Sequence, residues 1–165
     1  VLGGRVIYRV LAENGEVDLA YNMIVRPDYP SYGNWVKRGA TTLWEGFYPE
    51  NGRVLSLNHH FWGDVSAWFY TYLAGMRINP TGKDATNVDI KPLFPNKLDS
   101  VIAYHDLRDG RISVSWERTN DRSITLKIES AEILHGKIIL PDGFIFADGS
   151  KEKELASGEY ILPKA

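Results

Sequence analysis

Two short stretches place a carboxylate, hydroxyl-binding donors and flat apolar surface close together. Residues 39–47 read GATTLWEGF, so a single carboxylate, Glu45, follows Trp44 directly in a run of small and apolar residues. Residues 58–62 read NHHFW. By residue type alone, an exposed and solvated Glu45 is the commoner outcome. Its context favours another. Desolvation beside an apolar wall raises a carboxyl's pKa unless a donor or cation offsets it, and a carboxylate so placed can take a proton from water near neutral pH. Asn58 and His59 are suited to donating hydrogen bonds to hydroxyls. Trp44, Phe61 and Trp62 would supply planar apolar surface for the C–H faces of a sugar.

The remaining candidates carry less chemistry. His59 and His60 are adjacent, and sequence neighbours do not share a face of a helix or strand; HxxxH and HExxH spacings are absent, so no zinc site is assigned. Asp64 is either a second carboxylate or a helix cap, and its place in a first turn, where negative charge is stabilised, favours the cap. Trp68, Phe69 and Tyr72 lie at helix-core spacing. Tyr104, His105, Trp116 and His135 read as core or edge residues of strands, and no pattern there demands a carbohydrate-binding surface. GxGxxG, GKS/T and GxSxG motifs are absent, as is any cysteine nucleophile.

The elements that would position these residues fall into two halves. Up to about Gly75 the apolar period is helical. Leu2, Val6 and Val10, with Ile7 and Leu11, form one apolar face, and the ENG at 13–15 ends that helix with Gly15 in the left-handed cap position. Glu16 and Asp18 open a second helix whose stripe is Val17, Ala20, Tyr21 and Ile24; Pro27 and Pro30 end it. SYGNWVKRGA is a short helix or turn. A last helix is expected from about Phe61 to Ala74, with Phe61, Val65, Trp68, Phe69, Tyr72 and Leu73 as its stripe and Gly75 closing it. After INPTG the period changes to two. Seven segments alternate between turn residues: NVDIKPLF, DSVIAYHDL, GRISVSWERT, RSITLKIES, AEILHGKIIL, GFIFAD and GEYILP. Ile112, Val114 and Trp116 should face one way, and Arg111, Ser113, Ser115 and Glu117 the other. This predicts an antiparallel β-sandwich after a helical half, with the boundary in MRINPTGKD and the two domains at 1–78 and 79–165.

Composition bounds the partners. The chain has 165 residues and a formal net charge of −2, so no basic surface argues for nucleic acid. No stretch reaches the roughly 18 apolar residues of a membrane helix. Cysteine is absent, which excludes disulfides and thiolate metal sites but leaves the compartment open, because many exported proteins also lack it. No cofactor is called for. The chain opens VLGGRVIYRVLAENG, with helical spacing almost from the first residue, as expected of a piece of a longer protein. So few helices cannot bury Trp35, Trp44, Trp62 and Trp68 together with their own stripes. Either they pack on the sandwich or they belong to a larger helical array.

VLAENGEVDLAYNMI, YPSYGNWVKRGATTLWE, SLNHHFWGDVSAWFYTYLAGMRINP and GRISVSWE resemble, in order and spacing, the C-terminal part of bacterial α-L-rhamnosidases of glycoside hydrolase family 78. The similarity covers nearly the whole chain, and the combination is more specific than any one motif. The resemblance implies an α+β multidomain piece: the last helices of an (α/α)6 catalytic barrel followed by a C-terminal β-sandwich. It implies inverting hydrolysis of terminal α-L-rhamnosyl groups, with Glu45 of TTLWE as general base and His59 of the Asn-His pair contacting the sugar, beside Asn58 and Trp44. It also implies that the general acid lies upstream. The partner would be a rhamnose-containing glycoside, and an orphaned barrel face would favour self-association. WEGF stands where the family often has a second Trp, so Phe47 replaces an aromatic wall residue, and the HHFWGD text departs from the commoner family pattern. A non-catalytic carbohydrate-binding or structural sandwich is the rival reading, and another glycosidase on the same barrel is a third.

Overall fold

A computed structural model describes residues 2–49, 52, 55–78, 86–120 and 123–164. The chain divides into two units, Val1–Trp68 and Phe69–Ala165. The first is helical. α1 spans Leu2–Glu13, α2 Val17–Val25, α3 Tyr32–Lys37 and α4 Asp64–Trp68. Gly15 sits at φ +83, and the Glu16 N–H reaches back to the Leu11 carbonyl at 2.8 Å, so the chain reverses between α1 and α2 through a glycine-dependent cap. Ser31 caps α3: its Oγ accepts from the Asn34 N–H at 2.9 Å. The described residues between α3 and α4 are irregular apart from a 3₁₀ turn at His60–Trp62.

Two tertiary ties hold the first and last helices of this unit together. The Trp68 indole N–H donates to the Tyr8 carbonyl at 2.9 Å. The Arg9 guanidinium donates twice to the Asp64 carboxylate, at 2.6 and 3.1 Å. Asp64 does open α4, as its cap reading requires, but its carboxylate oxygens are directed at Arg9. Tyr8, Ala12, Ala20, Ile24, Tyr32, Trp35, Trp44, Val65 and Trp68 are buried.

Among the described side chains, the expected apolar face of α1 is not the face that this unit buries, although its Leu11 is half-buried. Val6, Ile7 and Val10 are exposed, whereas Tyr8 and Ala12 are buried. Helical periodicity identifies a stripe but not what lies against it, and the aromatic side of α1 won the core. The expected single helix from Phe61 to Ala74 is broken into a 3₁₀ turn, the short α4 and a π-helical turn at Phe69–Leu73. The broken winding turns Phe61 and Phe69 outward, while Val65, Trp68, Tyr72 and Leu73 are buried as expected. Gly75 closes the segment at φ +77.

The second unit contains two four-stranded sheets. Strands β1 (Met76–Ile78), β2 (Val88–Ile90), β6 (Lys137–Ile139) and β7 (Glu152–Glu154) form one, in the order β1-β2-β6-β7. β3 (Ser100–Leu107), β4 (Gly110–Asn120), β5 (Ser123–Ser130) and β8 (Gly158–Pro163) form the other, in the order β3-β4-β5-β8. The sheets share one apolar core: Val88, Ile90 and Ile138 from the first meet Ile112, Val114, Trp116, Ile124, Leu126 and Leu162 from the second. The period-two reading of β4 holds, with Ile112, Val114 and Trp116 all turned inward.

Three details differ from the sequence expectation. β2 and β6 pair in parallel, Ile90 against Ile138, so the first sheet is mixed. GFIFAD forms only an isolated bridge, Phe144 to Lys164, whereas β1 and β7 were not anticipated. The change of period puts the boundary at 78/79; the units divide earlier, after Trp68, and Met76–Ile78 is already a strand paired with β2. Residues 79–85 of the expected boundary segment lie outside the described residues. Among the described residues no helix is long and apolar enough to cross a membrane.

Candidate active site

The two stretches singled out in the sequence are brought side by side within the helical unit. The His59 N–H donates to the Leu43 carbonyl at 2.8 Å, and the Glu45 N–H donates to the Ser56 carbonyl at 3.0 Å. The Thr42 hydroxyl donates to the Leu57 carbonyl. Residues 42–45 and 56–59 are therefore clamped to each other through their backbones. Glu45 rides on one segment and Asn58 and His59 on the other.

Glu45 is half-buried. Both of its backbone groups are engaged: the N–H by Ser56, and the carbonyl by the Trp62 indole N–H at 3.0 Å. His59 is also half-buried. Its Nδ1 accepts from the Phe61 N–H at 3.2 Å, so in the neutral ring Nε2 carries the proton and is the donor. The His60 ring stacks on it at 5.0 Å, and the Phe61 ring meets it edge-on at 4.1 Å. These contacts set the ring plane, and the Nδ1 bond sets the tautomer. Asn58 is exposed, and its backbone is folded into a small turn with Ser56, whose Oγ lies 3.1 Å from the Asn58 carbonyl and 3.3 Å from its N–H.

Trp44 turns inward and is only 7 % exposed. Its ring lies 5.9 Å from that of Trp35, and the Arg38 guanidinium sits 5.0 Å above it. Trp44 thus buttresses the Glu45 segment from behind, while Phe61, beside His59, offers the open aromatic surface. Phe47, Trp62, Trp35 and Tyr32 form a continuous aromatic cluster under the site, with Phe47 at 4.7 Å from both Trp35 and Trp62. The Tyr32 hydroxyl donates to the Trp62 carbonyl at 3.0 Å. Burial, with smaller contributions from Tyr8 and Asp64, pushes that hydroxyl above the ordinary phenol range, which keeps it a donor at any physiological pH.

A cavity of about 590 Å³ in the same unit is lined by Tyr8, Met23, Arg26, Phe47 and Trp62 among others, but by neither Glu45 nor His59. Sequence reasoning singled out the carboxylate, the imidazole and Asn58. It missed the support given by Tyr32, Arg38 and the indole N–H of Trp62. The repeated aromatics were visible, but which atom would meet which backbone group depends on the path of the irregular segment between α3 and α4. Among the described residues no group of three or more His, Cys, Asp or Glu is placed to hold a metal.

Comparison with known proteins fixes the family. Residues 1–73 match the model of the bacterial α-L-rhamnosidase six-hairpin glycosidase domain. An α-L-rhamnosidase of Alteromonas sp. (strain LOR) is 31 % identical over an alignment that takes in 96 % of this chain and 19 % of that protein. Residues 1–73 belong to the bacterial α-L-rhamnosidase six-hairpin glycosidase domain family, and the chain as a whole is similar to a part of these proteins. It spans about a fifth of the length of that relative. Among solved structures, the α-L-rhamnosidase of Streptomyces avermitilis, crystallised with L-rhamnose, superposes with a TM-score of 0.81 over 98 % of this chain and 17 % of its own, at 23 % identity, a likeness of fold. A family 78 rhamnosidase of Bacillus sp. GL1 matches with a TM-score of 0.63 at 28 % identity, over 81 % of this chain and 14 % of its own. The α-L-rhamnosidase relationship thus reaches well beyond the residues matched by the domain model, into the strands.

Proposed function

We propose that this chain is the C-terminal part of an inverting α-L-rhamnosidase and that Glu45 is its general base. The observation that carries the reading is the backbone clamp, which sets the Glu45 segment against the segment bearing Asn58 and His59. In an inverting reaction the carboxylate takes a proton from water as the water oxygen bonds to the anomeric carbon. The bond from that carbon to the leaving oxygen breaks on the opposite face, and a carboxylic acid about 6.5–9.5 Å from the base protonates the departing oxygen. The acid belongs to earlier helices of an (α/α)6 barrel whose last members are the helices of the first unit; the β-sandwich of the second unit follows in the chain. His59, through Nε2–H, and Asn58 donate to the hydroxyls of a terminal rhamnosyl group. Trp44 holds the floor of that subsite.

By this reading the 165-residue chain alone does not turn over rhamnosides, since it lacks the acid and half the pocket. Its own exposed stripe at Val6, Ile7 and Val10 supports self-association, which a strictly monomeric sedimentation profile at high concentration would rule out. The rival reading, a sugar-binding sandwich, is weakened at its best candidate: one face of the Tyr104 ring is covered by the Arg111 guanidinium at 4.5 Å.

The test is release of nitrophenol from an aryl α-L-rhamnoside by the full-length protein, wild type against Glu45→Gln. Loss of the base should lower kcat by roughly 10²–10⁴ with the fold intact. Turnover at the wild-type rate would make Glu45 a scaffold residue.

A further inference from the structure

We infer that Trp62 is the positioning residue of the Glu45 carboxylate, acting through the Glu45 backbone. The inference rests on the reading of Glu45 as general base. Glu45 lies on irregular chain, where neither a helix nor a strand ladder fixes its Cα. Two hydrogen bonds do so instead: Glu45 N–H to Ser56, and Trp62 Nε1–H to the Glu45 carbonyl, each 3.0 Å. With both amide groups engaged, the carboxylate can move only through its own side-chain torsions. Misplacement of a reacting group by about 1 Å can cost about a hundredfold in rate.

The donor is itself held by several neighbours. The Tyr32 hydroxyl anchors the Trp62 carbonyl at 3.0 Å. Phe47 packs tilted on its ring at 4.7 Å, and Tyr32 and Trp35 meet it edge-on at 6.3 and 6.5 Å. On α1 the ring occupies the place of a side chain: a Cβ added at Gly4 would come within 2.2 Å of ring atom Cζ3. Ordinary core packing accounts for the ring, since buried tryptophans generally find a partner for their N–H. Packing alone does not account for the partner. The Trp68 N–H goes to a helix carbonyl of Tyr8 and the Trp35 N–H has no partner among the described residues, whereas the Trp62 N–H goes to the one candidate base.

A double-mutant cycle in the full-length protein, assayed on an aryl α-L-rhamnoside, separates positioning from packing. Trp62→Phe keeps an aromatic ring in the cluster and removes the donor. It should lower kcat about tenfold while KM stays within about twofold. In the Glu45→Gln background the same substitution should leave the residual kcat unchanged, because there is no base left to position. An equal loss in both backgrounds, or no loss in the single variant, would overturn the inference. Should Trp62→Phe fail to fold, Tyr32→Phe removes the bond that anchors the Trp62 carbonyl and should show the same dependence on Glu45 with a smaller loss; a loss independent of Glu45 would overturn the inference equally. If Glu45→Gln itself keeps the wild-type rate, the base assignment fails first and the positioning role fails with it.

Discussion

The helical and sheet units bury their apolar side chains by different rules. In the sheet unit, inward residues of consecutive strands meet one another, and Ile112, Val114, Ile124, Leu126, Ile138 and Leu162 are completely buried in one closed core. In the helical unit the largest buried side chains are aromatics, Trp35 and Trp68 among them, while an aliphatic stripe on α1 remains in solvent. A sandwich finds the partner for each face within itself. The helices of the first unit do not, and what holds them together is a cluster of rings and hydrogen bonds to irregular chain. The candidate chemistry sits in the second kind of unit. There the backbone path is set by side-chain contacts, and small changes in packing reach a reacting group.

The largest expected effect contrasts the two kinds of burial directly. Leu126→Ala removes a fully buried side chain from β5, where it pairs opposite Trp116 and Tyr160, and should cost about 2–5 kcal/mol. Val10→Ala trims a side chain that is 48 % exposed and should stay within about 0.5 kcal/mol. Urea unfolding of the 165-residue chain at low concentration, with hydrogen exchange to locate the loss in β4 and β5, measures both. A Val10→Ala cost comparable to that of Leu126→Ala would mean that the α1 stripe is covered in solution. That cost should then grow with protein concentration, as self-association requires.

The same contrast governs what could be read from the sequence. Period-two alternation in GRISVSWERT gave the facing of β4 because a strand in a two-layer sandwich has one buried side and no other choice. Short strands such as Met76–Ile78 and Glu152–Glu154 carry too few residues for a period to show, and GFIFAD has the right alternation without a neighbour to complete a ladder. On α1 the stripe was evident and its environment was not. In the candidate site, residue types pointed to Glu45, Asn58 and His59, since a lone carboxylate and an Asn-His pair among aromatics are unusual in composition. The clamp between residues 42–45 and 56–59 and the indole on the Glu45 carbonyl arise from the fold of an irregular segment, for which no periodic pattern exists.

A smaller effect tests how far the helical unit depends on hydrogen bonds to irregular chain. Ser31 is 1 % exposed and its Oγ serves three neighbours. It accepts from the Asn34 N–H at 2.9 Å, and it lies 2.6 Å from the Arg26 carbonyl and 2.8 Å from the Asp28 carbonyl. Ser31→Ala should cost about 1–2 kcal/mol, the usual loss for an N-cap. Hydrogen exchange should place the loss in α3 and the turn before it, and leave the strands unchanged. A loss spread evenly over both units would mean that they unfold as one cooperative body, and the contrast between them would hold for packing but not for stability.

The smallest effect belongs to the sheet unit and is electrostatic. In the turn between β6 and β7, Asp148 Oδ1 accepts from the Ser150 N–H at 3.0 Å and from its hydroxyl at 2.6 Å, while the Lys153 ammonium pairs with Oδ2. The Lys153 bond, followed by the two from Ser150, holds the Asp148 carboxyl well below the usual carboxylate range. A carboxyl depressed in the folded state stabilises above its unfolded pKa of about 3.9, and that contribution is lost as pH falls toward the folded value. The group is solvent-exposed, so screening keeps the effect small. Wild type should therefore exceed Asp148→Asn in urea midpoint at pH 7. The difference should narrow as pH falls below about 4 and should shrink in high salt. A difference that persists unchanged at pH 2 and in salt would assign the turn's stability to the neutral hydrogen bonds of Ser150, which the amide of the variant can still partly accept, and the charge on Asp148 would then contribute nothing to the fold.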